Sequence, residues 1–254
     1  MDPWTIGLPA IVVAGAGIGA WGAIAPRSQL FGAVLRRLLA EAEAGGEASR
    51  EIALTFDDGP NPAVTPRLLD LLARYNARAT FFVIGRFAAK CPELVREIAA
   101  RGHLLANHTH THPNLAWQSH ARIAQELRLC EEAVAEALGA ALTRSRAVAH
   151  GASELTMQWM RPPYGLRGPQ LFGVARALGF RGVATWSRLC FDWKPQPTEK
   201  VIKRLARVRE RDIVLMHDGD YRALGGDRAH VVAALEHWLP RWRDAGLEFV
   251  TIAP

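Results

Sequence analysis

Three times in this chain a helix-patterned stretch closes on a glycine and an apolar run follows at once: Gly102 before His103, Gly179 before Phe180, Gly246 before Leu247. Glycine accepts the left-handed conformation that ends a helix, so this punctuation predicts alternating helices and strands. Short strand-forming runs fall at about 52–56, 79–84, 103–106, 156–161, 182–186, 212–216 and 247–252. Between them lie stripes with helical spacing, such as Leu68, Leu69, Leu71 and Leu72, or Ile123, Leu127, Cys130, Val134 and Leu138, or Val232, Leu235, Leu239 and Trp242. Seven strands with intervening helices predict an α/β fold, a small, distorted or incomplete (β/α) barrel, with an open doubly wound sheet as the alternative.

Ahead of this pattern, Trp4 to Ala25 is a 22-residue run without a charge, and Arg27, Arg36 and Arg37 follow it. At about 1.5 Å per residue it can cross a hydrocarbon core of roughly 30 Å. Residues 1–26 are therefore expected to be an N-terminal transmembrane anchor, giving a single-pass membrane protein. A cleaved signal peptide fits less well, because no basic residue precedes the run and Pro26 follows Ala23-Ile24-Ala25. Residues 27–50 read as an amphipathic helix, with Leu30, Phe31, Val34, Leu35, Leu38 and Leu39 on one stripe, and then a linker. The Gly17-Ile18-Gly19-Ala20-Trp21-Gly22 segment fits a dinucleotide-binding pattern, but no second strand ending in an acid follows at the required spacing.

Composition narrows the classes further. With 49% hydrophobic and 22% charged residues the chain has enough apolar surface to fold. Its three cysteines are widely spaced, which argues against a disulfide scaffold and a thiolate metal site. The net charge of +6 comes without a dense basic run interleaved with aromatics, so nucleic acid is not expected as a partner.

In a β/α fold, function gathers on the loops that follow the strands. The first strand after the N-terminal region runs into Asp57-Asp58-Gly59-Pro60, two adjacent carboxylates that repel unless a cation lies between them. The third ends in Asn107-His108-Thr109-His110-Thr111-His112-Pro113, and with His103 this places four of the nine histidines within ten residues. His108 and His112 can reach one ion, and one carboxylate from the first loop completes a two-His, one-carboxylate set suited to Zn2+, Fe2+ or Co2+. Arg161-Pro162-Pro163-Tyr164-Gly165 follows the fourth strand, where the prolines stiffen a loop and hold an Arg able to pair a buried carboxylate. His217, at the end of the sixth strand, becomes a proton donor if Asp192 partners it.

These segments, spanning roughly residues 50–254, resemble the polysaccharide deacetylase family, also described as the NodB-homology domain or the family-four carbohydrate esterases. The motifs are Thr55-Phe56-Asp57-Asp58-Gly59-Pro60, His108 through His112-Pro113, Arg161-Pro162-Pro163-Tyr164, Asp192-Trp193 and Leu215-Met216-His217-Asp218. The resemblance implies that residues 51–254 form a metal-dependent N-deacetylase domain of carbohydrate metabolism, a hydrolase acting on the N-acetyl amide of an amino sugar in a glycan or glycolipid. It implies one divalent ion on Asp58, His108 and His112, Zn2+ first, with Co2+, Fe2+ or Ni2+ also suited. Asp57 would be the general base, oriented by Arg161; the Tyr164 backbone N–H would hold the oxyanion; His217, oriented by Asp192, would protonate the leaving amine. Leu215 and Trp193 would line the pocket for the acyl methyl group.

Three features depart from the family pattern. Leu189 stands where an acid often precedes the Asp-Trp pair, residues 139–156 form a long connection, and residues 1–45 lie outside the resemblance. A hydrolase of non-sugar amides, cyclic imides or ureides is the alternative enzyme, and a membrane-tethered glycan-binding module is the alternative without catalysis. For the side of the membrane, the basic flank and unpaired cysteines point to the cytoplasm, whereas the resemblance points outside the cell. Oligomeric state is not legible.

Overall fold

Successive strand residues face opposite sides of a sheet, and this parity builds both the core and the site. The computed structural model describes residues 19–39, 50–139 and 156–252. Its strands are β1 (Val34–Leu35), β2 (Glu51–Asp57), β3 (Thr80–Val83), β4 (Leu104–Asn107), β5 (Trp159–Met160), β6 (Gly182–Ala184), β7 (Arg188–Leu189), β8 (Ile213–His217) and β9 (Glu248–Val250). The helices are α1 (Thr65–Arg74), α2 (Gly85–Ala88), α3 (Pro92–Ala100), α4 (His120–Ala137), α5 (Pro169–Ala177), α6 (Thr198–Leu205) and α7 (Ala229–Asp244).

The sheet order is β1-β6-β5-β4-β3-β2-β8-β7, with β9 also against β2, and every strand pair is parallel. Only residues 185–187 separate β6, which pairs with β5, from β7, which pairs with β8. One bent path therefore touches both flanks of the sheet and curls it into a distorted β/α barrel. Outward-facing Ile52, Leu54, Phe56, Phe81, Val83, Val214 and Met216 pack under the helices, while Ala53, Phe82, Ala106 and Ile213 meet Leu38 and Ile252 inside. Continuing that inner parity along β2 and β8 puts Thr55, Asp57, Leu215 and His217 on the inner side, at the strands' C-terminal ends.

The seven expected strands are all present, and Gly102, Gly179 and Gly246 have φ of 77°, 90° and 78°, as their helix-ending role requires. Two strands were not anticipated, β1 and β7. The amphipathic helix expected in the first part of 27–50, ahead of the linker, is corrected by β1: Val34 and Leu35 pair with Val183 and Ala184 of β6. Tertiary pairing decides here, because Arg37 forms an antiparallel bridge with Asp212 and Leu38 donates its N–H to the Arg211 carbonyl. Residues 40–49 lie outside the described residues, as do residues 1–18 of the expected transmembrane anchor and 140–155 of the long connection. Among the described residues, no helix is long and apolar enough to cross a membrane.

Candidate active site

The inner side chains at the strand ends converge on a cavity of about 410 Å³. Asp57, Asp58, His108, His112, Tyr164, Trp193, Leu215 and His217 all line it, so the five motifs singled out in the sequence meet at one place. Arg161 and Asp192 lie directly behind this wall, both fully buried.

Asp57 and Asp58 diverge because Asp58 adopts a left-handed φ of 71°. Arg161 Nη1 donates to Asp57 Oδ1 at 2.7 Å and to Thr55 Oγ1 at 2.8 Å, while Nη2 donates to the Thr185 carbonyl at 2.8 Å. The guanidinium also lies 4.0 Å from the centre of the Phe82 ring. These contacts fix the arginine and leave Asp57 Oδ2 outside its grip, at the cavity wall and 3.7 Å from His108 Nε2. Behind the turn the packing admits no side chain: a Cβ on Gly59 would lie 2.3 Å from Asp218 Oδ2, and one on Gly219 would lie 2.0 Å from the Asp58 carbonyl oxygen. Asp218 is buried and accepts a hydrogen bond from Thr65, and burial pushes its pKa up to about 7.

Asp58, His108 and His112 form a possible metal site, with one donor atom from each within 4.8 Å of the others. Asp58 Oδ1 is 3.5 Å from His108 Nε2 and 3.2 Å from His112 Nε2. Donors each about 2.1 Å from a tetrahedral ion lie roughly 3.4 Å apart, so this spacing fits. Asp58 Oδ1 is buried without a hydrogen-bond partner, which an ion would remedy. His108 Nδ1 lies 2.8 Å from the Arg161 carbonyl, which can only accept; the proton therefore sits on Nδ1 and the Nε2 lone pair faces Asp58. Burial and then the nearby His108 lower the His112 pKa to about 3, which keeps that ring neutral as a ligand must be. Burial works to raise the Asp58 pKa, but the close approach of His108 and the nearby His112 and His217 hold it below the usual carboxylate value.

The loop that presents the two histidines is shaped by a residue the sequence reading passed over. Glu126, fully buried on α4, accepts from His110 N at 3.0 Å, Thr111 N at 2.7 Å and Thr111 Oγ1 at 2.7 Å. Asn107 Oδ1 takes Thr109 N, and Thr109 Oγ1 takes His112 N. Together these bonds hold Thr109 and His112 at positive φ of 68° and 63°, a conformation that β-branched and bulky residues adopt only under such constraint. The available signal was Glu126 within the apolar stripe of Ile123, Leu127 and Cys130. His103, grouped with these histidines by sequence, sits instead at the opposite end of β4, where Nδ1 accepts from Ala79 N.

Across the cavity, Asp192 Oδ1 is 3.0 Å from His217 Nδ1, and Oδ2 accepts from the His217 backbone N–H at 2.7 Å. Burial alone lowers the His217 pKa, yet the Asp192 charge and hydrogen bond outweigh it and raise the pKa to about 9. His217 is thus a held imidazolium. Leu189, Trp186, Trp193 and Leu215 supply apolar wall. Tyr164, with φ of 59° and its ring 4.7 Å from His112, forms part of the mouth. Tyr221, also absent from the sequence reading, stacks on His112 at 4.3 Å.

Comparisons with known proteins follow the same lines. The family model described as polysaccharide deacetylase matches residues 44–183. A chitooligosaccharide deacetylase of Bradyrhizobium sp. (strain ANU 289) is 36% identical over 79% of this chain and 88% of its own length. A peptidoglycan-N-acetylglucosamine deacetylase of Bacillus cereus is 33% identical over 80% of this chain and 86% of its own. Among solved structures, a family 4 carbohydrate esterase from Streptomyces lividans in complex with acetate superposes with a TM-score of 0.65 and 29% identity, covering 79% of this chain and 91% of that one.

Proposed function

The chain belongs to the polysaccharide deacetylase family, and on that premise we propose that it hydrolyses the N-acetyl amide of an amino sugar in a glycan or glycolipid. The observation that carries this reading is the meeting of a carboxylate base, a two-His, one-carboxylate set and a histidine acid around one cavity. Asp58, His108 and His112 would hold a divalent ion, Zn2+ first, and when bound it supplies Lewis-acid polarisation of the acyl carbonyl and of water.

The remaining work falls to this chain's own side chains. Asp57 Oδ2, left free by the Arg161 contact to Oδ1, takes the proton of the attacking water. The Tyr164 backbone N–H faces the oxygen on which negative charge develops. His217 delivers its Nε2 proton to the departing nitrogen while Asp192 keeps the opposite ring nitrogen occupied. The C–N bond breaks, and acetate and a free amino sugar leave. Leu215 and Trp193 shape the space for the acetyl methyl group. A glycan-binding module would have no use for this set of base, acid and buried orienting groups. Residues 1–26 would anchor the enzyme in a membrane, and a compartment-specific reporter fused to the C-terminus tests the side.

Purified protein is expected to release acetate from N-acetylglucosamine oligomers, and to lose this activity on chelation and in His108→Ala. Undiminished acetate release after chelation would sink the metal-dependent reading. The acid can be tested by pH. The rate depends on protonated His217, so it persists up to about pH 9 and falls above. In Asp192→Asn the largest raising contributions are gone, while burial and the smaller opposing pull of Asp58 and Asp57 remain, so the alkaline limb of kcat should move down from about 9 toward the ordinary 6.5.

A further inference from the structure

We propose that the catalytic end of the barrel docks on a lipid bilayer, and that the amino sugar reaches the cavity from a membrane glycolipid. This rests on the deacetylase reading above and narrows its substrate to a lipid-linked one. The observation is where exposed apolar side chains lie. Apart from Leu39, the exposed large hydrophobic residues among the described residues lie on loops that follow the strands, the end on which the cavity opens, or on the N-terminal segment. Trp117, 85% exposed, follows β4; Phe191 and Trp193 follow β7; Tyr164 and Leu224 follow β5 and β8. Single exposed hydrophobics are unremarkable, but their gathering on one end marks an interaction surface.

The N-terminal segment joins the same end. Residues 19–24 are helical, and the Ala23 carbonyl accepts from Arg167 N. Arg167, fully buried, also donates to the Ala25, Ser28 and Gly165 carbonyls, and Gly165 lines the cavity. Ala116, next to Trp117, packs its carbonyl against Gly168. Trp21, Ile24 and Leu30 therefore add exposed apolar surface beside the mouth.

Two features favour a bilayer over a polymeric glycan as the occupant. Ile24, Leu30 and Trp117 are outside the cavity lining, and the aliphatic pair offers no aromatic face to a sugar ring. The described end of the uncharged run, residues 19–25, also lies on this surface, with exposed Arg27 and Lys194 at its margin. Tryptophan, aliphatic side chains and flanking cations together are the composition that settles at a bilayer interface bearing anionic lipid. Held so, the cavity opens toward the headgroup layer.

The test uses the full chain in phosphatidylcholine vesicles containing phosphatidylglycerol. An environment-sensitive fluorophore is placed at Trp117→Cys or, as control, at Leu39→Cys, both in a Cys91→Ser background. Docking predicts blue-shifted emission at 117 that brominated lipids quench, and neither effect at 39. In parallel, Ile24→Glu and Trp117→Glu should each lower kcat/KM by about tenfold or more on a polyprenyl-phosphate-linked N-acetylglucosamine in the vesicles. Both should leave turnover of a water-soluble N-acetylglucosamine oligomer unchanged. Equal emission at 117 and 39 overturns the proposal. So does an equal loss on both substrates, which would point to the N-terminal segment folding over the mouth, a second copy there or a glycan subsite. Blue-shifted emission without turnover of either substrate would keep the docking surface and overturn the deacetylase reading instead.

Discussion

Asp57→Asn protein is expected to lose about two to four orders of magnitude in kcat, the usual contribution of a positioned general base. The substitution keeps the shape of the side chain and can still accept from Arg161 Nη1, but it removes the oxygen able to take a proton. Bound metal should be unchanged, because Asp58, His108 and His112 are untouched. A rate within threefold of the unaltered enzyme, measured by acetate release on fully loaded protein, would remove Asp57 from the mechanism.

The second large effect concerns stability. Arg161 is fully exposed to protein and not at all to water, with Asp57 as its ion-pair partner. Breaking a buried pair by removing one member costs about 3–5 kcal/mol, because the other charge is left uncompensated. Arg161→Met should therefore unfold at lower denaturant by about that amount and also be inactive, since Asp57 is no longer held. Asp57→Asn should be destabilised as well. The double variant, with neither charge, should recover much of the stability and none of the activity. Additive losses in the double variant, read from denaturant unfolding, would show that the two residues act independently and that the pair is not the link between fold and catalysis.

These predictions rest on residues whose chemistry was legible before the fold was known, and on contacts that were not. Asp57, Asp58, His108, His112, Arg161, Asp192 and His217 stand out because charged and imidazole side chains at the ends of apolar runs have few other uses. That Arg161 reaches across from β5 to Asp57 on β2 depends on the order β5-β4-β3-β2 and on the curl that faces them inward. Glu126 was hidden because a single acid in a helical stripe reads as an imperfection until the His108–His112 loop is folded onto it. Tyr221 was hidden for a similar reason, since its value lies in stacking on His112 from a different loop.

What the sequence determined by itself was local: short strand-forming runs, helical stripes, glycine helix ends and the chemically demanding residues after the strands. Such signals act over a few residues, so seven strands and the candidate metal, base and acid groups could be read directly. The tertiary structure alone decided β1, because a two-residue strand has too little local pattern to outweigh an apparent helical stripe and exists through pairing with β6. It alone decided the bent β6–β7 path that curls the sheet, and with it the distances among side chains far apart in the chain. It also placed residues 19–24 beside the catalytic mouth, through a buried arginine whose partners no local spacing reveals.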